Sequence, residues 1–332
     1  MQRAKHYTSS SDIAVSHQPR LPAFSRRSVI AGGSTLLAAG LLSGIGPRPV
    51  LAATAAHRFK VGAAEIIVLS DGRFSLPKSF VLPDRTDAEL AALFEKASAK
   101  LDLIAETNVT IVKIGSHVVL IDTGAGPDFM PTLGKLTDNL EAAGIKAAEV
   151  THVVFTHAHA DHFWGVVDPL TEGTLFEGAR HVMTAVERDF WLKPGVETTV
   201  PEAHKTMAVG ITRRMKQLGD KIEAVKPGAE IVPGVALIET PGHTPGHASV
   251  VVRSGTEELV VLGDALTQHV VSFAAPGWQW GPDLDADVAI ATRKRLLDRL
   301  ATTKARVVGY HLPWPGSGHV EARDGAYRFV AG

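Results

Sequence analysis

The 332-residue sequence contains no cysteine, and this absence restricts the chemistry the protein can perform. Without thiols there is no disulfide framework, no cysteine-bound zinc finger, no iron-sulfur cluster and no thiol nucleophile. Any metal ion must therefore be bound by histidine, aspartate or glutamate. The chain has 15 histidines to supply such donors.

A net charge of either sign is also missing, since 34 Lys and Arg stand against 35 Asp and Glu. The total gives no reason to expect a nucleic-acid partner. It conceals an uneven distribution, because residues 1–55 carry six basic residues and one acidic residue. The remaining chain has 28 basic and 34 acidic residues, a net charge of −6. The sequence therefore divides into a basic leader and an acidic main part.

The basic leader has the features of an export signal. Arg26 and Arg27 directly precede an uncharged stretch over 28–47, and the Ala-Thr-Ala at 53–55 fits the signal-peptidase pattern. This arrangement resembles a twin-arginine signal, which implies export of the folded protein by the Tat machinery, to the periplasm or outside the cell. An uncleaved membrane anchor is the alternative, but five glycines dilute the apolar stretch. We expect a signal peptide at 1–55 and one domain at 56–332.

From about His57 onward, short β-branched runs alternate with amphipathic stretches, which predicts an α/β fold without linkers or repeats. No internal boundary is visible, so a single domain is expected. Helices are predicted over 131–143, 184–192, 201–218 and 287–300. Strands are predicted over 65–69, 109–114, 117–121, 152–156, 235–239, 249–253, 259–262 and 306–309.

Metal-ligand residues directly follow four of these apolar strands. The ligand-type residues that begin these loops are His157, His243, Asp264 and His311. Side chains at strand ends are held by a rigid sheet and remain open on one side. The sequence therefore predicts a preorganised site at a sheet edge.

The segment after the fourth predicted strand is the richest in such residues. It reads His157-Ala158-His159-Ala160-Asp161-His162. In an extended or tightly looped backbone the first two histidines project the same way, and the last two residues face a second point as the chain turns. Four ligand-type residues in six positions are too many for one tetrahedral ion that also binds water. Two ions sharing this segment are therefore expected.

Taken together, these motifs resemble the metallo-β-lactamase superfamily. The 157–162 segment is accompanied in order by Leu120-Ile121-Asp122-Thr123-Gly124, Pro241-Gly242-His243-Thr244-Pro245-Gly246-His247, Gly263-Asp264 and His311. The resemblance runs from about residue 57 to the end of the sequence. It implies an αββα sandwich with two metal ions at one edge between the sheets.

The resemblance also implies a ligand set and a reaction. One ion is assigned His157, His159 and His243, the other Asp161, His162 and His311, with Asp264 bridging them. Zinc is expected, although manganese, iron or cobalt would suit the same donors. Asp122 is expected to orient a ligand histidine through a hydrogen bond. The implied enzyme is a hydrolase whose nucleophile is a hydroxide between the ions, with Asp161 and Asp264 as catalytic carboxylates that accept a proton.

Flanking residues are similar to methyl parathion hydrolase, a phosphotriester-cleaving branch of the superfamily. They include Leu69-Ser70-Asp71-Gly72, Asp189-Phe190-Trp191-Leu192 and Tyr327-Arg328-Phe329-Val330. This similarity implies that Phe129, Trp191 and Phe273 line a leaving-group pocket, with ordinary core packing as the competing interpretation. The expected substrate is a small phosphotriester, ester or lactone, and relatives of this kind suggest a homodimer.

A quorum-quenching lactonase is the main alternative. Such lactonases usually carry tyrosine three residues after the bridging aspartate, where this chain has Thr267, which disfavours their standard mechanism without excluding lactones. The absence of cysteine and the bridging Asp264 disfavour a β-lactamase. A glyoxalase II-like thioesterase is disfavoured by the short stretch after His311. A di-iron redox protein is disfavoured because no glutamate replaces a histidine of the first motif.

Overall fold

A computed structural model describes residues 56–168, 171 and 173–332 of the chain. The twin-arginine segment and its cleavage pattern lie outside these residues, so the export signal stays a prediction. Within the described residues, no helix combines the length and apolar character needed to cross a membrane.

Two seven-stranded sheets form the framework of the domain. The first sheet contains, in both spatial and chain order, β1 (Ala56–Val61), β2 (Ala64–Ser75), β3 (Ile104–Ile114), β4 (His117–Ile121), β5 (His152–Val154), β6 (Arg180–Thr184) and β7 (Ile222–Val225). Strands β1 to β4 pair antiparallel, whereas β4 to β7 pair parallel. The parallel half therefore directs several strand ends to one edge.

The second sheet is mostly antiparallel. Its strands are β8 (Glu230–Val232), β9 (Val235–Glu239), β10 (Ala248–Ser254), β11 (Glu257–Val261), β12 (Arg306–Val308), β13 (Ser317–Arg323) and β14 (Ala326–Ala331). They lie side by side in chain order, and β11 and β12 form its one parallel pair among the described residues. The carboxyl ends of β11 and β12 therefore meet at the same edge.

The described residues form nine α-helices, five of which cover the outer faces of the two sheets. They are α1 (Lys78–Val81), α2 (Asp87–Lys96), α3 (Leu136–Ala142), α4 (Ala160–Phe163), α5 (Ala185–Leu192), α6 (Val196–Thr199), α7 (Lys205–Leu218), α8 (Val271–Ala274) and α9 (Ala286–Thr303). Helices α3 and α5 to α7 pack on the first sheet and α9 on the second. The αββα sandwich implied by the sequence is confirmed.

The core between the sheets follows from the alternation of side chains along each strand. Ile66 and Val68 of β2 pack in one cluster with Val250 and Val252 of β10. The intervening Ile67 belongs instead to the cluster under the first-sheet helices. Because both faces of these strands are buried, they read in the sequence as nearly continuous apolar runs. Each such side chain contributes about 1.5–3 kcal/mol by leaving water.

Backbone hydrogen bonds join the two sheets at the edge where the ligand-bearing loops begin. The Ala248 N–H donates to the Thr156 carbonyl at 3.0 Å, and the Asn108 N–H donates to the Tyr310 carbonyl at 2.9 Å. The segment after β5 is thereby fixed against β10, and β3 is fixed against the loop after β12. This edge carries the site described below.

Helix α3 begins later than the sequence predicted, at Leu136 rather than at residue 131. The buried Asp71 carboxylate accepts the N–H groups of Ala125, Gly134 and Leu136 at 2.8–3.1 Å. Gly134 also has a positive φ of 80°, which no helix contains. The late start of α3 therefore has a local cause, because Asp71 holds the residues before Leu136 in a turn.

Replacing Asp71 tests this role. In Asp71→Asn, an amide group must face backbone N–H donors, so we expect a loss of about 1–3 kcal/mol in the free energy of unfolding. Urea unfolding at pH 8 measures it, since burial raises the pKa of Asp71 to about 6 and the carboxylate is then ionised. Asp84→Asn, in an exposed turn, is the control and should stay within about 0.5 kcal/mol. Equal stability of the two variants would contradict the role.

Candidate metal centre

Loops from both sheets bring the seven predicted ligands together. Four follow β5, and the others follow β9, β11 and β12. Their donor atoms form three overlapping buried groups, each within 4.8 Å. These groups are His157, His159 and His243; His157, His162 and Asp264; and Asp161, His162 and His311.

The Asp264 carboxylate lies at the centre of this arrangement. One oxygen is 3.1 Å from His162 Nε2, and the other is 3.2 Å from the Nε2 atoms of both His243 and His311. Donors of a tetrahedral zinc ion with Zn–N bonds of about 2.0–2.1 Å lie about 3.3 Å apart. Asp264 therefore has the contacts that a bridging ligand requires.

Orphaned buried atoms show that the donor set suits cations. Among the described residues, His157 Nε2, Asp161 Oδ2 and Asp264 Oδ1 are buried and make no hydrogen bond. A buried polar atom without a partner costs about 1–3 kcal/mol. Bound divalent ions would satisfy these atoms, and nitrogen and carboxylate oxygen donors suit zinc and its neighbours in the first transition row. The residues present therefore fit two metal ions.

Asp122 orients the first motif from behind, in the position expected from the sequence. Its Oδ2 accepts hydrogen bonds from His162 Nδ1 and Thr156 Oγ1, each at 2.8 Å, and its Oδ1 accepts the Thr156 N–H at 2.8 Å. Because His162 Nδ1 donates, its Nε2 presents a lone pair to the site. Asp122 thus fixes both the tautomer and the direction of this ring.

Two further supports were not predicted from the sequence. His243 Nδ1 donates to Asp283 Oδ1 at 2.9 Å, and His311 Nδ1 donates to the Glu106 carbonyl at 2.7 Å. Arg293, itself buried, donates to the second oxygen of Asp283 at 2.9 Å. Asp283 lies 40 residues from His243 in the chain, and no motif links them. Only the folded arrangement could reveal this pair.

His247 supports the centre without being a ligand. Its Nδ1 donates to the Thr240 carbonyl at 3.0 Å, and its Nε2 accepts the Asp264 N–H at 2.9 Å. Both ring nitrogens are therefore occupied, and burial lowers the pKa of His247 to about 3. Gly263 has a φ of 54°, and a Cβ there would lie 2.6 Å from His247 Nε2. Glycine is required for His247 to hold the Asp264 backbone.

The carboxylates dominate the electrostatics of the centre. Burial lowers the pKa of His243 and His311, but Asp264, aided by Asp283 and Asp161 respectively, outweighs it. The pKa of His243 rises to about 9 and that of His311 to about 10. Burial keeps the pKa of His157 well below its ordinary value. In the metal-free protein, the negative charge of the carboxylates is therefore balanced by protons on some of the histidines but not on all of them.

This balance predicts that metal binding depends on pH. At pH 7 the metal-free protein carries protons on His243 and His311, whose pKa values lie above 7, and an incoming ion must displace them. Affinity should therefore rise between pH 6 and 9, by up to about tenfold per pH unit for each displaced proton. Chelator competition and calorimetry in two buffers measure affinity and proton release. Binding without proton release would refute the expectation.

Removing a ligand should remove metal. We expect His157→Ala and Asp264→Ala each to bind fewer than two ions per chain, because both side chains belong to the buried donor groups. Elemental analysis after dialysis gives the stoichiometry. His319→Ala is the control, because its half-exposed side chain pairs with Glu321 at the protein surface. Two ions retained in both ligand variants would refute the assignment.

An apolar cavity opens onto the metal centre. Its lining includes members of all three donor groups, and no lysine or arginine of the described chain lines it. The apolar lining includes Phe74, Phe80, Ile104, Phe129, Met207 and Trp280. A lining of this apolar character suits an uncharged small molecule with an apolar part.

The structure corrects two of the three predicted pocket residues. Phe129 lines the cavity as expected. Trp191 is fully buried in the first-sheet core behind His159, its ring 6.3 Å from that imidazole. Phe273 is buried under the second sheet against Phe329, and borders a different cavity. Ordinary packing explains both rings, because their helices turn them toward the core.

The loops, donor groups and fold together identify the family. A model of the metallo-beta-lactamase superfamily matches residues 105–311. The chain belongs to this superfamily. It is similar over 83% of its length to a superfamily structure named AidC, a dizinc quorum-quenching lactonase, with 28% identity, a TM-score of 0.77 and 97% of that chain covered. A structure named hydrolase AbOPH is similar to the same extent, at 27% identity and a TM-score of 0.77.

Curated relatives of the superfamily match only part of the chain. A probable metallo-hydrolase of Mycobacterium bovis is 27% identical over 181 residues, 48% of this chain and 56% of that protein. An N-acyl homoserine lactonase of Bacillus cereus is 27% identical over 172 residues, 52% of this chain and 60% of that protein. The chain thus spans little more than half the length of these relatives.

Proposed function

We propose that this protein is a dizinc hydrolase of lactones and related esters that carry an apolar chain. The observation that carries the proposal is the apolar cavity that opens directly onto the donor groups and has no lysine or arginine among its described lining residues. A substrate with a formal charge would find no lysine or arginine among the described lining residues. A neutral ester or lactone would pay only a small desolvation penalty on entering the cavity, and its apolar chain would be buried against the lining.

The lactonase relatives support the substrate class. AidC is named a dizinc quorum-quenching lactonase and was solved with the product N-hexanoyl-L-homoserine. The Bacillus cereus relative is named an N-acyl homoserine lactonase. Thr267 stands where such lactonases usually have tyrosine, and it lines the cavity beside Asp264. Its side chain is shorter than that of tyrosine and borders the space where a substrate would bind.

Two divalent ions, when bound, would polarise the carbonyl oxygen and lower the pKa of a water molecule. The chain's own residues hold and shape the site for this chemistry. Asp161 and Asp264 supply the negative charge that retains the ions, and their carboxylates accept a proton as water attacks. Ile104, Phe129 and Met207 contact the apolar chain of the substrate and exclude water from it. Binding energy from the chain thereby holds the ester against the donors.

Phosphotriesters are the second candidate, favoured by an aromatic corner beside the metal centre. Phe74 lies edge-on to both Phe129 and His311, with ring centroids 6.2 and 5.6 Å apart. An aryl leaving group would pack against these rings.

The proposal also includes export through the twin-arginine signal to the periplasm and assembly as a homodimer.

A substrate series tests the proposal on the metal-loaded full chain. For N-acyl homoserine lactones and aryl esters, kcat/KM should increase with chain length until the cavity is filled, by about fourfold per methylene at about 0.8 kcal/mol. Faster turnover of aryl phosphotriesters would favour the second candidate. Absence of turnover on all three classes, with two ions bound, would refute the hydrolase proposal for these substrates.

A matched pair of variants tests the cavity wall. Ile104 lines the cavity and is 43% exposed, whereas Leu101 is 51% exposed and is not among the lining residues. Ile104→Ser should reduce kcat/KM for long-chain substrates about fivefold, since about 1 kcal/mol of apolar contact is lost. Leu101→Ser should leave it unchanged. Equal effects of the two variants would show that the chain binds elsewhere.

A further inference from the structure

A buried carboxylate joins two metal-binding loops. Glu187, in the first turn of α5, is completely buried. Its Oε1 accepts the Ala158 N–H at 3.0 Å and Trp191 Nε1–H at 2.7 Å. Its Oε2 accepts the Thr244 hydroxyl at 2.6 Å and the Gly246 N–H at 3.1 Å. All four partners donate, so the group acts as an ionised carboxylate with both oxygens in use.

The partners of Glu187 lie beside the ligands of one ion. Ala158 stands between His157 and His159, and Thr244 directly follows His243. One carboxylate therefore bonds both segments that provide these three histidines. The first segment follows β5 of the first sheet and the second follows β9 of the second sheet. Glu187 thereby sets the distance between loops that approach from different sheets.

Close backbone packing strengthens the same junction. Thr184 caps α5 by accepting the Glu187 N–H at 3.2 Å and donates its own hydroxyl to the Gly246 carbonyl at 2.7 Å. A Cβ on Gly246 would lie 2.0 Å from the Glu187 nitrogen, so only glycine permits this approach. The start of α5 therefore contacts the 243–247 loop directly.

The other ion's ligands are held by different groups. The Tyr310 hydroxyl donates to the Asp161 carbonyl at 2.7 Å, and its ring stacks on His162 at 3.8 Å. His311 is held by the Glu106 carbonyl. None of the hydrogen bonds that Glu187 makes within the described chain involves these residues. An effect of Glu187 should therefore be confined to one of the two ions.

We propose that Glu187 is a positioning residue that sets the spacing of His157, His159 and His243 and so controls the affinity for the ion they bind. The proposal rests on the dinuclear part of the proposed function and is independent of the substrate. Glutamine cannot fully replace the carboxylate, because its amide nitrogen would face at least one N–H group that can only donate, either those of Ala158 and Trp191 or that of Gly246. One of the two loops would then lose a hydrogen bond.

The test is the separate affinity for each ion. Glu187→Gln and Thr244→Val should weaken the ion at His157, His159 and His243 about 10–100-fold and change the other less than threefold. Chelator competition gives both affinities with zinc. Absorption bands of the cobalt-loaded protein, assigned with His243→Ala and His311→Ala, identify which ion is affected.

Two control variants separate positioning from general destabilisation. Trp191→Phe removes a donor within α5 and leaves both loops attached, so both affinities should change less than threefold. Tyr310→Phe should weaken the other ion instead, because its hydroxyl holds Asp161.

The outcomes are distinguishable. If Thr244→Val leaves both affinities unchanged, or weakens the binding of both ions equally, the role proposed for Glu187 is overturned. This test applies even if Glu187→Gln does not fold. A wild-type protein that binds fewer than two ions would instead refute the dinuclear site itself. If two ions bind but no substrate is hydrolysed, only the proposed activity is refuted. The role of Glu187 then still rests on the measured ion affinities.

Discussion

The attraction between two buried carboxylates and the positive charge beside them is the constraint on which this structure depends. Asp161 and Asp264 lie in a water-poor edge between two sheets, where an unpaired carboxylate costs several kcal/mol. In the metal-free protein, protonated His243 and His311 supply part of the balance. Divalent ions supply more charge and also satisfy donor atoms that protons leave without partners. The loops that bear the ligands therefore place each buried carboxylate beside a group that carries positive charge.

The ligand side chains are held in this arrangement by rigid neighbouring groups before metal binds. Ligand rings are fixed by hydrogen bonds to groups that are themselves buried and bonded, such as Asp122 and Asp283. Arg293 is part of the same system, because its charge compensates Asp283 and its other donors bind the carbonyls of Pro276 and Trp278. The same 276–283 segment carries Trp280 and Pro282 of the apolar cavity, so the cavity lining and the metal centre are joined through a few polar side chains.

The parts of this architecture that depend on residues close in sequence could be predicted. Those that depend on contacts between distant segments of the chain could not. The 157–162 segment reveals its role because strand alternation and ligand chemistry act within six residues. The eight predicted strands correspond to β2–β5 and β9–β12, whereas strands such as β14 were missed because their faces are half exposed and their apolar pattern is weak. Glu187 bonds partners 29 and 57 residues away, so no pattern indicates it. Phe273 was misplaced because aromatic side chains serve cores and cavities alike.

The division of ligands between the sheets has a consequence for how the protein matures. Four donors follow β5 of the first sheet, and three follow β9, β11 and β12 of the second, so neither sheet alone contains a complete site. A complete site for either ion therefore requires both halves of the chain to be folded and docked. Bound ions would favour the docked state over any partly separated one by mass action. They would thus stabilise the contact between the halves in addition to the chemistry proposed for them.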